Sequence, residues 1–291
     1  TDKNPTPRSL AVGMLFSLMG LICISFASNF LYILLSVSLI GMGSSIFHPE
    51  ASRVAHLASG GKKGLAQSIF QVGGNAGGAI GPLLVALIVI PFGQNYIGLF
   101  GVLAIVAVVI LTYVGKWYQI HLKPKTEVIP ANQPTSKLPK SKIIFALGIL
   151  LVLIFSKYFY MASMTSYFTF YLINKFHVSV QESQIYLFVF LASVAAGTIL
   201  GGPLGDRYGR KLIIWVSILG AAPFTLLLPH AGLEATIILS ISIGLIISSA
   251  FSAILVYATE LIPGKVGMIA GLFFGFAFGM GGIGSALLGW L

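Results

Sequence analysis

Three ionisable side chains follow one apolar run closely enough to act together. His48, Glu50 and Arg53 come directly after the apolar residues 30–47. Glu50 and Arg53 are three positions apart, so their side chains share one face of a helix. A carboxyl group can carry a proton and a guanidinium can bind an anion, which makes these residues candidates for a proton or substrate pathway. The alternative is that the apolar segment ends at Phe47 and the three residues are interfacial.

The composition indicates that these residues lie in a membrane protein. Of the 291 residues, 57% are apolar and only 8% are charged, and the mean hydropathy is +0.97. Soluble domains carry about 25% charged residues, so lipid must surround most of this chain. The five histidines and the single cysteine, Cys23, form no pattern typical of a metal site. The glycine-rich stretches lack a Walker lysine, and no nucleophile-base arrangement is present, so an enzyme is not predicted.

A later apolar run carries a stripe of amide side chains. Gln67, Gln71 and Asn75 recur every fourth residue, which places them on one helix face over about 12 Å. Amide groups that faced lipid would leave their donors and acceptors unpaired. The stripe is therefore predicted to face a water-filled cavity or a partner helix, and both alternatives stay open here.

Small residues on the same run predict close packing. Gly73, Gly77 and Gly81 form a ridge, and Pro82 follows it directly. Ridges of small residues allow two membrane helices to approach closely. We expect this ridge to pack against a neighbouring helix.

One lysine lies deep inside another apolar run. Lys157 follows Lys142 by about 22 Å along a helix, too far to reach the same membrane surface easily. Ionisable residues inside a membrane are usually functional because burying them is costly. Lys157 is a candidate for binding an anionic substrate, or for neutralisation by a nearby carboxylate. Its alternative is snorkelling to the outer interface.

Nine apolar runs are candidate membrane helices, because a bilayer requires about 20 mostly apolar residues. They comprise residues 9–26, 30–47, 65–90, 96–114, 143–172, 185–204, 212–228, 235–255 and 266–291. The polar and proline-rich residues 116–142 form a linker after the fourth run. The predicted organisation is an N-terminal half of residues 1–115, this linker, and a C-terminal half of residues 143–291.

The positions of the 17 lysines and arginines orient these runs. If residue 1 is cytoplasmic and successive runs alternate, fifteen basic residues lie inside and one, Lys175, lies outside. Cytoplasmic loops of membrane proteins are enriched in basic residues. The N-terminus and the linker are therefore predicted to be cytoplasmic, and the net charge of +10 needs no nucleic-acid partner.

An internal repeat relates the two parts of the chain. Residues 61–64 (GKKG) precede the third run, and the similar residues 264–267 (GKVG) precede the ninth. Residues 1–3 match residues 205–207 at nearly the same offset. Matched runs are six apart, as in transporters built from two related halves. We therefore expect a twelve-helix protein, truncated here to nine helices without the first two and the last.

Four short motifs resemble a known family. Residues 202–211 (GPLGDRYGRK) resemble the signature of the major facilitator superfamily between helices eight and nine. Residues 45–52 (SIFHPEAS), 68–75 (SIFQVGGN) and 264–268 (GKVGM) resemble the fosmidomycin resistance proteins of bacteria. The resemblance implies an all-α major facilitator fold, in which two pseudo-symmetric six-helix halves rock around a central site.

The same resemblance implies a function. It is that of a multi-pass inner-membrane transporter, which exports a small drug or toxic anion, such as a fosmidomycin-like antibiotic, by proton antiport. The proton gradient is then the energy source without any cofactor, and lipid, protons and the substrate are the partners. Gly77, Gly81 and Pro82 resemble part of an antiporter motif, but residues 83–86 lack its final glycine pair. An uptake permease for an organic anion and a transporter-like sensor are the alternatives, and no oligomeric state is predicted.

In the superfamily, the signature turn is a conformational latch. Here the turn supplies three charged residues, Asp206, Arg207 and Arg210. A helix N-terminus carries unpaired N–H groups and partial positive charge, which attract a carboxylate. By pseudo-symmetry, we expect Asp206 to contact the start of the third run near Gly64, and Asp2 to contact the start of the ninth near Gly267.

Overall fold

The computed structural model describes residues 6–122 and 139–290, and these two ranges contain helices and no strand. Nine helices follow one another within them. They are α1 (Ser9–Ser25), α2 (Phe30–Leu57), α3 (Lys63–Val89), α4 (Gln94–His121), α5 (Lys140–Phe176), α6 (Val180–Tyr208), α7 (Arg210–His230), α8 (Leu233–Leu261) and α9 (Val266–Trp290). Eight are long and apolar enough to cross a membrane, and α1, with 17 residues, is a shorter apolar helix. The predicted all-α membrane fold is confirmed.

Each helix lies over a predicted apolar run, but several helices extend beyond their runs. Helix α2 continues through Pro49 to Leu57 instead of ending at Phe47, so the ionisable group of residues is helical. Helix α4 continues to His121 and α5 begins at Lys140, so both extend into the predicted linker. The rest of the linker lies outside the described residues.

Local sequence explains where several helices begin and change. Helix α6 starts with a capping box, in which the Ser179 hydroxyl accepts from the Glu182 N–H and the Glu182 carboxylate accepts from the Ser179 N–H. Helix α3 is α-helical over Lys63–Leu84 and becomes π-helical over Val85–Val89. Pro82 lies just before this change, and its missing N–H removes a regular helical hydrogen bond.

The first four helices pack around close backbone contacts. Helices α1 and α2 meet at Gly13 and Gly43, where a Cβ atom added to Gly13 would lie 2.8 Å from the Gly43 carbonyl oxygen. Helix α4 packs on α1, and its Gly115 faces the backbone of Pro7. Small residues therefore set the distances between these helices.

The last five helices enclose two buried apolar cores. One lies among α5, α7, α8 and α9 and is built around Ile154, Ile254 and Phe273. The other lies among α5, α6, α7 and α8 and is built around Leu172 and Phe190. The main connections between these five helices and the first four are α3 with α6, α2 with α9 and, less extensively, α3 with α8.

Candidate functional site

A cavity of about 350 Å³ lies between the first four helices and the last five. Four of its lining residues offer polar side chains, namely Asn75, Tyr158, Thr165 and Ser285. The other lining residues are apolar or glycine, namely Gly74, Gly78, Met161, Ala162, Leu191, Val194, Ala277, Phe278, Gly281 and Gly282. A mostly apolar cavity with a few polar groups is typical of a small-molecule site. No charged residue lines it within the described part of the chain.

The amide stripe of α3 contacts both of the surroundings predicted for it, a cavity and a partner helix. Asn75 lines the cavity and donates from Nδ2 to the Thr198 hydroxyl of α6 at 2.7 Å. Gln67 is buried and accepts from the Ser52 hydroxyl of α2 at 2.9 Å. Gln71, between them, is half-buried. The stripe thus connects α3 to two neighbours and reaches the cavity only at Asn75.

His48 lies in an aromatic environment contributed by three helices. Its ring centroid is 5.1 and 5.2 Å from those of Phe274 and Phe278 in α9, and 6.0 Å from that of Phe70 in α3. Its Nδ1 is also within 3.0 Å of the Ser44 carbonyl oxygen. We call the contact between α2 and α9 the aromatic seam. It is formed by His48, Pro49, Gly271, Phe274 and Phe278.

Glu50 is enclosed within the first four helices. Its side chain is 1% exposed, and among the described residues neither carboxylate oxygen has a hydrogen-bond partner. It lies two turns beyond Gly43, on the face of α2 that packs against α1. Glu50 is therefore buried within the protein and does not line the described cavity.

Arg53 turns towards a different neighbour from those of His48 and Glu50. Its guanidinium lies 6.0 Å from the ring centroid of Tyr118 in α4. The three ionisable residues therefore do not converge on one point, although they occupy adjacent turns. Helical rotation of about 100° per residue distributes their side chains over several neighbours.

Lys157 is buried inside the last five helices. Its side chain is 8% exposed, and its ammonium group donates to the Ser248 carbonyl oxygen at 3.4 Å. It also lies 5.6 Å from the Phe251 ring centroid. The snorkelling alternative is wrong, because the side chain is directed to α8 and not to an interface. The next residue, Tyr158, lines the cavity, whereas Lys157 does not.

The predicted contact between Asp206 and the start of α3 is present. The Gly64 N–H donates to one carboxylate oxygen of Asp206 at 3.1 Å, and the Leu65 N–H donates to the other at 3.0 Å. The Arg210 guanidinium forms a salt bridge with this carboxylate at 3.3 Å. It forms a second salt bridge with the Glu260 carboxylate at 2.9 Å. Two otherwise unpaired N–H groups of α3 are thereby satisfied.

Among the remaining predicted latch residues, Arg207 and Gly267 are described by the structure and Asp2 is not. Arg207 is exposed, and its guanidinium lies 5.2 Å from the Tyr208 ring centroid. Gly267 is buried in the first turn of α9. Asp2 lies outside the described residues, so its expected contact near Gly267 stays a prediction.

The glycine ridge of α3 is not where the helices approach most closely. A Cβ atom added to Gly73, Gly77 or Gly81 would meet no other atom within 4 Å in the described part of the chain, so the packing of this ridge stays a prediction. Rotation of about 100° per residue places this ridge on the side of α3 opposite the face that contacts α6. Pro82, also predicted to pack, precedes the π-helical segment instead.

The close approach occurs on the opposite face. A Cβ atom added to Gly202 would overlap the Ser68 hydroxyl and the Gly64 carbonyl oxygen. We call this contact between α3 and α6 the polar seam. It is formed by Gly64, Ser68, Asn75, Thr198, Gly202 and Asp206. Ser68 is the first residue of the motif at 68–75, but nothing in the sequence assigns it to a contact with α6, and only the small residues that recur around Thr198 mark that position.

Two connected groups of membrane helices with a cavity between them define a membrane transporter. The family model of the Major Facilitator Superfamily matches residues 1–286, and the chain belongs to this superfamily. Members of this superfamily are transporters and not enzymes. The predictions of a membrane transporter and of a protein that is not an enzyme are therefore confirmed.

Two curated relatives are similar over nearly the whole chain. The chain is 56% identical to the "Fosmidomycin resistance protein" of Escherichia coli (strain K12), over 99% of this chain and 71% of that protein. It is 46% identical to the "Uncharacterized MFS-type transporter YfnC" of Bacillus subtilis (strain 168), with the same coverage. The predicted resemblance to the fosmidomycin resistance proteins is confirmed.

The fold is also similar to a solved structure. A crystal structure of the E. coli fucose:proton symporter FucP superposes with a TM-score of 0.70 at 13% identity, covering 99% of this chain and 78% of that one. At this identity the similarity shows the shared fold alone.

Proposed function

We propose that this chain belongs to an exporter that moves small toxic compounds, of the fosmidomycin type, out of the bacterial cytoplasm in exchange for protons. The observation that carries the proposal is the 56% identity to a fosmidomycin resistance protein over 99% of the chain. Antibiotic resistance through a transporter is most directly achieved by export. The cavity between the two groups of helices supplies a place for the substrate.

The contacts between the groups support a particular state of the transport cycle. The ends of the bundle that carry Arg8, Lys63, Arg210 and Lys265 are on one side, which we call the basic end. The Asp206 contact closes the polar seam at this end, whereas the cavity begins near Asn75, about 16 Å further along α3. If the basic end is cytoplasmic, as the charge asymmetry favours, this state is closed to the cytoplasm.

Glu50 is the residue that we propose to carry the proton. An ionised carboxylate buried without partners costs several kcal/mol. Glu50 is enclosed and has no hydrogen-bond partner among the described residues, which makes it our first candidate for a proton carrier. His48 is part of the aromatic seam between the two groups of helices, and it is the second candidate for this role.

The cavity favours a small substrate bound through neutral groups. The amide of Asn75 and the hydroxyls of Tyr158 and Ser285 can donate hydrogen bonds to an oxygen-rich anion, whereas the Thr165 hydroxyl donates to the Met161 carbonyl oxygen. Lys157, the residue before Tyr158 in α5, is buried and does not line the cavity. We propose that it favours anions at a distance.

Flux in proteoliposomes tests the direction and the coupling. The full-length protein is reconstituted, a proton gradient is imposed, and movement of fosmidomycin is followed in both directions. Proton antiport predicts substrate movement against proton movement, which reverses when the gradient is reversed. An uptake permease moves both in the same direction, and a sensor moves neither. Either result overturns the export proposal.

The role of Glu50 is tested separately. Glu50→Gln keeps the side-chain shape but cannot titrate, so it should abolish gradient-driven flux while substrate exchange without a gradient persists. The matched control is Glu234→Gln, which neutralises an exposed carboxylate at the start of α8. Unchanged coupling in Glu50→Gln would exclude Glu50 as the proton carrier and direct attention to His48.

A further inference from the structure

An open groove lies between α1 and α4 at the basic end, away from the cavity. Its volume is about 350 Å³, and residues from both helices line it. Arg8 contributes from α1, and Thr112, Lys116 and Gln119 contribute from α4. The two helices are close here, because a Cβ atom added to Gly115 would lie 2.6 Å from the Pro7 carbonyl oxygen.

The groove concentrates positive charge without compensation. Arg8 and Lys116 are both exposed, and neither forms an ion pair with any residue in the described ranges. The Lys116 ammonium group lies 5.5 Å from the Tyr113 ring centroid. Two cations beside a hydroxyl and an amide can bind a phosphate group together with nearby hydroxyl groups.

Each cation lies at the head of an exposed apolar stripe. On α1 the stripe descends from Arg8 through four exposed residues, which are Val12, Leu15, Met19 and Ile22. On α4 it descends from Lys116 through Thr112 and three exposed apolar residues, which are Val109, Ile105 and Val102. Each stripe is about 21 Å long, which exceeds the roughly 15 Å thickness of one hydrocarbon leaflet.

We infer that this groove binds one anionic phospholipid, with its phosphate between Arg8 and Lys116 and its acyl chains along the two stripes. The exposed Thr112 and Gln119 can bond a glycerol headgroup, such as that of phosphatidylglycerol. Basic pockets between membrane helices commonly bind anionic headgroups. The inference requires neither the proposed substrate nor the proposed direction of transport.

Native mass spectrometry of the full-length protein tests this inference. The protein is titrated with phosphatidylglycerol or phosphatidylcholine of the same chain length, and the bound lipids are counted. The double variant Arg8→Gln/Lys116→Gln should bind the first phosphatidylglycerol on the order of twentyfold more weakly, from about fivefold for each cation. Binding of phosphatidylcholine should not change.

The control removes equal charge elsewhere. Lys140→Gln/Lys142→Gln neutralises two exposed lysines at the start of α5, and it should retain the wild-type preference. An equal loss in both double variants would show diffuse attraction and overturn the site. Displacement of the lipid by soluble glycerophosphoglycerol would overturn the role of the acyl stripes. All substituted residues are exposed, so unfolding does not explain a selective loss.

Discussion

The two seams between the helix groups are built from different chemistry. The polar seam of α3 and α6 brings backbones into contact and holds a carboxylate on two N–H groups. The aromatic seam of α2 and α9 places the His48 ring beside two phenylalanine rings, in ring contacts and not through a charged group.

This difference indicates how each seam can move. Hydrogen bonds to a charged group contribute about 1.5–3 kcal/mol and depend on direction, so the polar seam is either formed or broken. Aromatic pairs contribute about 0.5–1.5 kcal/mol over a range of ring angles. The aromatic seam can therefore remain in contact while its rings change orientation. We therefore expect the polar seam to act as the latch and the aromatic seam to act as the pivot.

A Gly→Ala substitution in each seam should give the largest difference in the ratio of closed to open forms. Gly202→Ala places a Cβ atom against the backbone of Gly64, so the polar seam must open, whereas Gly271→Ala places one 3.6 Å from Pro49, an ordinary contact. Overpacking costs about 1–3 kcal/mol. Gly202→Ala should therefore shift the ratio of closed to open forms by at least fivefold, and Gly271→Ala should leave it near wild type.

Cysteine labelling from the basic side measures this ratio. The exposed native Cys23 is first replaced by serine, and a single cysteine is introduced at Thr165 in the cavity wall. Faster labelling reports the open form. Equal labelling of the Gly202→Ala and Gly271→Ala variants would contradict the assignment of the latch to the polar seam.

Removal of the latch charge is expected to have the next largest effect. Asp206→Asn removes the negative charge that interacts with the start of α3. This interaction contributes about 0.3–1 kcal/mol, and up to about 2 kcal/mol when partly buried. Labelling of the cavity from the basic side should rise by about twofold to thirtyfold. Intrinsic substrate affinity should change little in a direct binding assay.

Glu260→Gln is the matched control for Asp206→Asn. It removes a carboxylate that pairs with the same Arg210 but does not contact α3. Its effect on labelling should be clearly smaller. If Glu260→Gln opens the cavity as much as Asp206→Asn, the arginine network, and not the helix start, holds the seam closed.

Substitution in the aromatic seam should have a moderate effect. His48→Leu keeps an apolar side chain but removes the ring contacts with Phe274 and Phe278. A loss of about 1 kcal/mol changes labelling by about fivefold at most. A larger change than that of Asp206→Asn would reverse the roles assigned to the two seams.

A contact within one group of helices should have the smallest effect on the ratio. Ser52→Ala removes the hydrogen bond to Gln67, so thermal unfolding should show a loss of about 1 kcal/mol in stability. Cavity labelling should not change, because α2 and α3 belong to the same group. A shift in labelling would show that this bond is coupled to the seams.

The fold was predictable because the membrane restricts the choices. A bilayer requires long apolar helices with satisfied backbone groups, and every helix lies over a predicted run. The apolar run alone left the end of α2 open, because Glu50 and Ser52 are polar yet buried. Hydropathy alone cannot distinguish a polar residue enclosed by neighbouring helices from one in water.

The site was predictable only where the sequence relates two helices to each other. The internal repeat paired Asp206 with the start of α3, and that contact is present. The glycine ridge at Gly73 and the direction of Lys157 depend on how each helix is rotated against its neighbours. Spacing along a single helix defines a face but does not say which neighbour that face meets.

The Asp206 contact also has a consequence for synthesis, because its two partners are 142 residues apart in the chain. At about 5–20 residues per second, the ribosome needs on the order of ten seconds between them. During that time the start of α3 has no carboxylate from α6, and water must satisfy its N–H groups. The first helices must therefore persist in the bilayer through their own contacts, such as Gly13 with Gly43, until α6 has been made.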